Sequence, residues 1–182
     1  MGIRHVILDR DGVLNREAAE GGWICDPQEW RWEQGAREGL LLFARAGVRI
    51  SVVTNQSCIG RGLASPEAIT RVNDYMRRKA EASGAGIDAV FVCPHAPDEG
   101  CDCRKPRPGL VRQAIDASGV PATQTALVGD ALRDLEAGRQ CGVRVVLVRT
   151  GKGAETEANG QLEAIPVYDD LHSAAIKLLE IE

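Results

Sequence analysis

The chain offers no long apolar run. Its purely hydrophobic stretches end after a few residues, as at Val145 to Val148, far short of the roughly 20 needed to cross a bilayer. The N-terminus reaches Asp9 after only three apolar positions, Val6 to Leu8. That is too little for the core of a signal peptide, and Val6 stands where a myristoylation signal carries Ser or Thr. Aromatics are scarce, with three Trp, two Tyr and two Phe, and positive charge is in deficit, 22 Lys+Arg against 26 Asp+Glu for a net charge of −4. Such a chain has neither the basic stripe nor the stacking platform that a polynucleotide requires. The expectation is a cytoplasmic protein with no nucleic-acid and no membrane partner. Repeats and low-complexity tracts are also missing. What remains is 182 residues, 44% hydrophobic and 26% charged, enough to bury one core. We expect a single domain over residues 1–182.

Short β-branched runs recur at Val6 to Leu8, Arg49 to Val53, Ala89 to Cys93, Thr125 to Val128 and Val143 to Val148. Each is too short for a helix and reads as a buried strand. Helical patterns lie between them at about 35–46, 65–83, 108–118 and 131–141, with a last one from about Leu171. Ser65 and Pro66 supply an N-cap and a first-turn proline, and Gly142 stops the fourth helix. Strand alternating with helix predicts an α/β fold, a doubly wound parallel sheet of Rossmann type with helices on both faces. Two irregular stretches interrupt the alternation, Asn15 to Gln34 and Pro94 to Pro108, and loops of this length usually carry function.

The residues that follow the strands are polar: Asp9-Arg10-Asp11, Thr54-Asn55-Gln56-Ser57, Cys93-Pro94-His95 and Gly129-Asp130. Ligands of open α/β sheets bind at the carboxyl ends of the strands, so these distant segments are expected to converge. A lone Asp in such a place reads as a turn or cap residue. Two carboxylates beside Gly12, with Asp130 at the end of another strand, call for a hard divalent cation. Mg²⁺ fits, because it takes one or two protein carboxylates and shares its remaining positions with water and phosphate.

Cys93, His95, Cys101 and Cys103 place three thiols and one imidazole within eleven residues. The alternatives are incidental loop cysteines or a disulfide made by Cys101 or Cys103. A reducing compartment disfavours the disulfide, and the doubled spacing favours zinc. A closed Cys₃His set leaves no position for water, which marks a structural ion. Arg104 and Lys105 follow immediately, so the metal would hold that lysine in place. Cys25, Cys58 and Cys141 read as small buried hydrophobes, and His5 and His172 as structural or exposed.

The segments Val6-Ile7-Leu8-Asp9-Arg10-Asp11-Gly12-Val13-Leu14, Val52-Val53-Thr54-Asn55-Gln56, Lys105-Pro106 and Leu127-Val128-Gly129-Asp130, with Asp134 beyond, together resemble the haloacid dehalogenase superfamily of phosphatases. The resemblance implies that family's fold without a large cap domain, and a phosphoric monoester hydrolase. It implies Asp9 as nucleophile, Asp11 as general acid and base, Thr54 and Lys105 on the phosphoryl group, and Mg²⁺ held by Asp9, Asp130 and the Asp11 carbonyl. Asp134 either orients Lys105 or a metal-bound water, or is an ordinary first-turn acid worth about 0.3 to 1 kcal/mol.

Within the superfamily, the cluster Cys-Pro-His followed by Cys-Asp-Cys-Arg-Lys-Pro is similar to the histidinol-phosphatase-like subfamily, whose members act on a heptose bisphosphate or on histidinol phosphate. The runs from Asp9 to Asn15, Thr54 to Gly62 and Leu147 to Lys152 favour the heptose substrate, and with it the removal of a 7-phosphate in nucleotide-activated heptose synthesis for surface polysaccharide. The short zinc loop favours histidinol phosphate. Carried over by position, Arg104, Asn55, Gln56 and Ser57 would contact substrate, and the loop from Glu17 to Trp23 would cover it, with Trp23 against the sugar. A basic residue often follows the Gly-Asp of the last motif in the heptose enzymes, and here it is Ala131. Arg133, Arg61 or Lys152 could replace it, although Arg133 on a helix reads by default as a solvated charge. The resemblance also implies a monomer. A different class, a zinc-stabilised binding module without catalysis, is disfavoured by the intact set Asp9, Asp11, Thr54, Lys105 and Asp130.

Overall fold

The computed structural model describes residues 2–18, 22–160, 162 and 164–180. The five expected strands form: β1 (His5–Leu8), β2 (Arg49–Asn55), β3 (Ala89–Cys93), β4 (Thr125–Gly129) and β5 (Arg144–Val148). A sixth, β6 (Val167–Tyr168), completes a sheet in the order β3-β2-β1-β4-β5-β6, and every adjacent pair is parallel. The helices are α1 (Ala36–Arg45), α2 (Pro66–Ala82), α3 (Gly109–Ser118), α4 (Leu132–Gln140), α5 (Gly153–Ala158) and α6 (Leu171–Leu178).

Local chemistry accounts for the helix ends. Ser65 caps α2 by accepting from the Ala68 amide at 3.2 Å, with Pro66 at the first position, where its missing N–H is no loss. Asp170 caps α6 through the Ser173 amide at 2.8 Å.

The period-2 alternation of the strands divides the interior into two layers. On one face Val6, Leu8, Val52, Val128 and Val146 pack against Leu40 and Phe43 of α1, Val72 and Met76 of α2, and Leu171 and Ala175 of α6. On the other, Ile7, Val53, Leu127 and Leu147 meet Leu110 and Ala114 of α3 and Leu135 of α4. Burying both faces explains why the strands are almost wholly apolar.

Chain order reverses between β2 and β4 across the central strand β1. Leu8 is in register with Val52 on one side and with Val128 on the other. The residues just beyond these three positions therefore emerge side by side at the switch point, the usual ligand crevice of such sheets.

Candidate active site

Three of the four expected segments meet at that crevice, those of Asp9 to Asp11, Thr54 to Ser57 and Gly129-Asp130, whereas Cys93, Pro94 and His95 do not line it. A cavity of about 660 Å³ is lined there by Asp11, Glu17, Trp23, Asn55, Ser57, Arg104, Arg133 and Lys152, among others. A second cleft of about 720 Å³ lies between the segments 60–63 and 96–99 and contains none of Asp9, Asp11, Asp130 and Asp134.

Asp9 follows the last residue of β1 and is 4% exposed. Its Oδ1 accepts the Arg10 amide at 2.7 Å and lies 2.9 Å from Lys105 Nζ. Burial pushes its carboxyl up, Asp134 adds to this, and Lys105 and Arg133 offset part, leaving the group at about 6. Asp130 is pushed up to about 8, first by burial and then by Asp134 and Asp9. Lys105 is fully buried, and its ammonium donates to the Val53 carbonyl at 3.0 Å, to Asp9 and, at 2.7 Å, to Asp134. Burial works against its charge, but the two carboxylates prevail and raise it.

Asp134 performs two of the tasks considered for it. It orients Lys105, and its Oδ2 accepts the Ala131 amide at 3.1 Å at the start of α4.

Asp11 sits at the edge of the cavity with its side chain 26% exposed. It accepts from Arg10 Nη2 at 3.1 Å, Asn15 Nδ2 at 2.9 Å and Gln56 Nε2 at 2.8 Å. Burial pushes its pKa up, but the Arg10 guanidinium and these hydrogen bonds outweigh burial and hold the group below the ordinary carboxylate value.

The side chain of Gln56 corrects a sequence expectation. It is completely buried, and its amide donates to Asp11 and to Thr54 Oγ1 at 2.8 Å, so it supports the site from behind instead of lining it. Asn55 does line the cavity, but its amide is engaged with the backbone of Lys105 in both directions. Ser57 and Arg104 also line it. Trp23 lines the cavity with the Arg61 guanidinium 5.9 Å from its ring centre. Residues 19–21 of the expected covering loop lie outside the described residues.

Of the three proposed replacements for a cation at Ala131, Arg133 and Lys152 face this cavity, whereas Arg61 borders the other cleft. Arg133 is thus no solvated surface charge: it is half-buried within the site. Sequence reasoning passed over Arg10 and Asn15. The signal available was a charged and an amide residue flanking Asp11 in an otherwise apolar segment.

Oxygens of Asp9, Asp130 and Asp134 lie within 4.8 Å of one another. Asp130 Oδ1 is buried with no hydrogen-bond partner among the described residues, an arrangement that favours a cation. The backbone is shaped to it. Gly12 and Gly151 both have positive φ, 86° and 56°, and a Cβ on either would run into Asp130 Oδ2, so only glycine lets the two loops close on this carboxylate. The residues fit Mg²⁺.

The thiol cluster fits zinc on geometry as well. Cys93 and Cys101 sulfurs are 3.7 Å apart, Cys101 and Cys103 3.5 Å, and His95 Nδ1 lies 3.6 Å from Cys93 and 3.2 Å from Cys103. Zn–S bonds of about 2.3 Å arranged tetrahedrally imply S···S edges of about 3.8 Å. Burial and the neighbouring thiols push Cys103 up to about 12, the strain that a bound cation relieves. Cys58 is buried as expected, while Cys25 and Cys141 are only half-buried.

This fold and this site define a hydrolase of the haloacid dehalogenase class, and the HAD-hydrolase-like family model matches residues 102–174. The chain is 40% identical over 181 residues to the D-glycero-beta-D-manno-heptose-1,7-bisphosphate 7-phosphatase of Bordetella bronchiseptica, covering 96% of this chain and 97% of that one. It is 37% identical over 175 residues to the enzyme of the same name from Pseudomonas aeruginosa, with 96% and 97% covered. The crystal structure of the B. bronchiseptica D,D-heptose 1,7-bisphosphate phosphatase with magnesium and phosphate superposes with a TM-score of 0.92 at 38% identity, covering 99% of this chain and 100% of that one. The chain belongs to the D-glycero-beta-D-manno-heptose-1,7-bisphosphate 7-phosphatase family.

Proposed function

We propose that this protein is a Mg²⁺-dependent phosphomonoesterase that removes the 7-phosphate of D-glycero-β-D-manno-heptose 1,7-bisphosphate through an aspartyl-phosphate at Asp9, acting as a single monomeric domain. The observation that carries the mechanism is the bridge from Lys105 Nζ to both Asp9 and Asp134, beside an Asp11 held at the cavity edge. Membership of the heptose bisphosphatase family favours the sugar substrate over histidinol phosphate.

Among the described residues, the Arg10 amide and the Lys105 ammonium both meet the Asp9 carboxylate at Oδ1, which leaves Oδ2 to attack phosphorus in line as the bond to the sugar C7 oxygen breaks. Lys105 opposes charge on the transferring group from a buried position, where its field is little screened. Its three acceptors match its three protons, so it is oriented before substrate arrives. Asp11 delivers a proton to the departing alkoxide, then takes one from the water that attacks phosphorus and releases Asp9. In the free protein the partners of Asp11 favour its anion. A phosphate dianion bound alongside favours its protonated form, because like charges disfavour ionisation. When bound, Mg²⁺ would be held by Asp9 and Asp130, with the Asp11 carbonyl, and would neutralise phosphoryl charge.

Phosphate release from heptose 1,7-bisphosphate and from histidinol phosphate, measured in parallel with Mg²⁺ and with EDTA, tests this reading. The expected result is a higher kcat/KM for the bisphosphate, abolished by EDTA. A higher kcat/KM for histidinol phosphate overturns it.

A further inference from the structure

We propose that Asn73 of α2 is a positioning residue for the reaction, setting through the Arg10 guanidinium the angle at which the Asp11 carboxylate faces the cavity, an inference that rests on the reading of Asp11 as proton donor above. Arg10 stands between Asp9 and Asp11 in the chain, and its side chain is wholly buried. Its Nη1 donates to Asn73 Oδ1 at 3.0 Å, and its Nη2 meets both Asp11 oxygens, at 3.1 and 3.2 Å. Its Nε has no hydrogen-bond partner among the described residues. The contacts with Asn73 and Asp11 therefore orient the whole planar group.

Three side chains hold the Asp11 carboxylate, and they do not do the same thing. Asn15 reaches only Oδ1 and Gln56 only Oδ2, whereas Arg10 spans the pair, so its placement sets how far the carboxylate turns. The same guanidinium belongs to the residue after Asp9, and a buried cation with no second anchor is drawn to whichever carboxylate it can reach. Asn73 holds it on the side of Asp11. From Arg10, Asp9 receives the backbone amide and no side-chain hydrogen bond among the described residues.

Asn73 is otherwise out of place. The buried stripe of α2 runs through Ile69, Val72, Met76 and Ala80, with Asn73 inside it. Asn is a poor helix former because its amide competes for backbone hydrogen bonds, and a buried amide costs free energy unless it is bonded. Leucine would continue the stripe without either penalty. The partner that accounts for the amide is Arg10, whose buried charge needs every acceptor it has.

The test measures kcat/KM, which reports the steps up to formation of the aspartyl-phosphate, on heptose 1,7-bisphosphate and on p-nitrophenyl phosphate. The sugar leaves as an alkoxide that takes a proton from Asp11, whereas nitrophenolate leaves as a stable anion without one. Asn73→Leu should lower kcat/KM for the bisphosphate by about 10- to 100-fold, the scale of a small misplacement of a catalytic group, and by much less for the nitrophenyl ester. Asn73→Asp, which keeps the acceptor oxygen, should recover part of the loss. The double variant Arg10→Met, Asn73→Leu also removes the buried cation, so its thermal midpoint should return toward that of the wild type while the loss on the bisphosphate persists. Asp11→Asn should show the same selective loss in larger measure. If Asp11→Asn is selective but Asn73→Leu loses equally on both esters, or if activity returns with the midpoint in the double variant, the proposal alone is overturned. Equal losses on both esters in Asp11→Asn overturn the reading of Asp11 as proton donor and the proposal together.

Discussion

Asn55 holds the peptide backbone of Lys105 from both sides: its Oδ1 accepts the Lys105 amide at 3.1 Å and its Nδ2 donates to the Lys105 carbonyl at 3.0 Å. The end of β2 thereby fixes the loop that follows the thiol cluster, fifty residues later in the chain. Both anchors act on one lysine, Asn55 on its main chain and the Cys₃His set on the residues just before it.

Replacing that amide should harm turnover more than binding. Asn55→Ala is expected to lower kcat by about 10- to 100-fold, the scale of a small misplacement of a catalytic group, with a much smaller change in KM. Steady-state kinetics on the bisphosphate check this, and a loss confined to KM would show that Asn55 serves as a substrate contact instead.

The zinc ligands should behave as a remote support for the same lysine. Cys103→Ser is expected to lower bound zinc, measured by elemental analysis, and to reduce kcat/KM by about 100-fold through displacement of Lys105. Excess Mg²⁺ should not restore it, because the lost function is positional. Full turnover in zinc-depleted protein would break the link between the cluster and the active site.

Acid should weaken the fold through His5. This imidazole is completely buried, with Nε2 2.9 Å from Ser51 Oγ and Nδ1 3.4 Å from Thr125 Oγ1. Burial lowers its pKa from 6.5 to about 4, against an opposing effect of Asp88. Between those values the unfolded chain binds a proton that the folded one refuses. The contribution of His5 is therefore complete above pH 6.5 and is lost as pH falls from 6.5 toward 4. Urea midpoints from pH 7 to 4.5 should decline more steeply for wild type than for His5→Asn, and parallel slopes would rule the group out.

Much of this was legible in the sequence because it depends on residue type and order. Val6 to Leu8 followed by Asp9, or Leu127 to Gly129 followed by Asp130, mark buried strands delivering carboxylates to one edge, and the cysteine spacing marks a metal. Where a side chain turns is a different matter. Asn55, Gln56 and Ser57 look alike as polar loop residues, yet Gln56 faces inward to Asp11 and Asn55 to a backbone fifty residues away. Those directions are set by tertiary neighbours. Arg133, one of three candidates to replace a cation at Ala131, reads by default as a solvated charge for the same reason, since a helix position does not reveal that its own face borders the cavity. The strand Val167–Tyr168 was missed because two residues carry no period, and α5, six residues long, carries too little of one.

The central claim is that Asp9 carries the phosphoryl group, and Asp9→Asn tests it most directly. The substitution keeps the shape and removes the anion. Phosphate release from heptose 1,7-bisphosphate in saturating Mg²⁺ should fall to background, while zinc content and cooperative unfolding persist. Turnover at the wild-type level in that variant would contradict the aspartyl-phosphate mechanism.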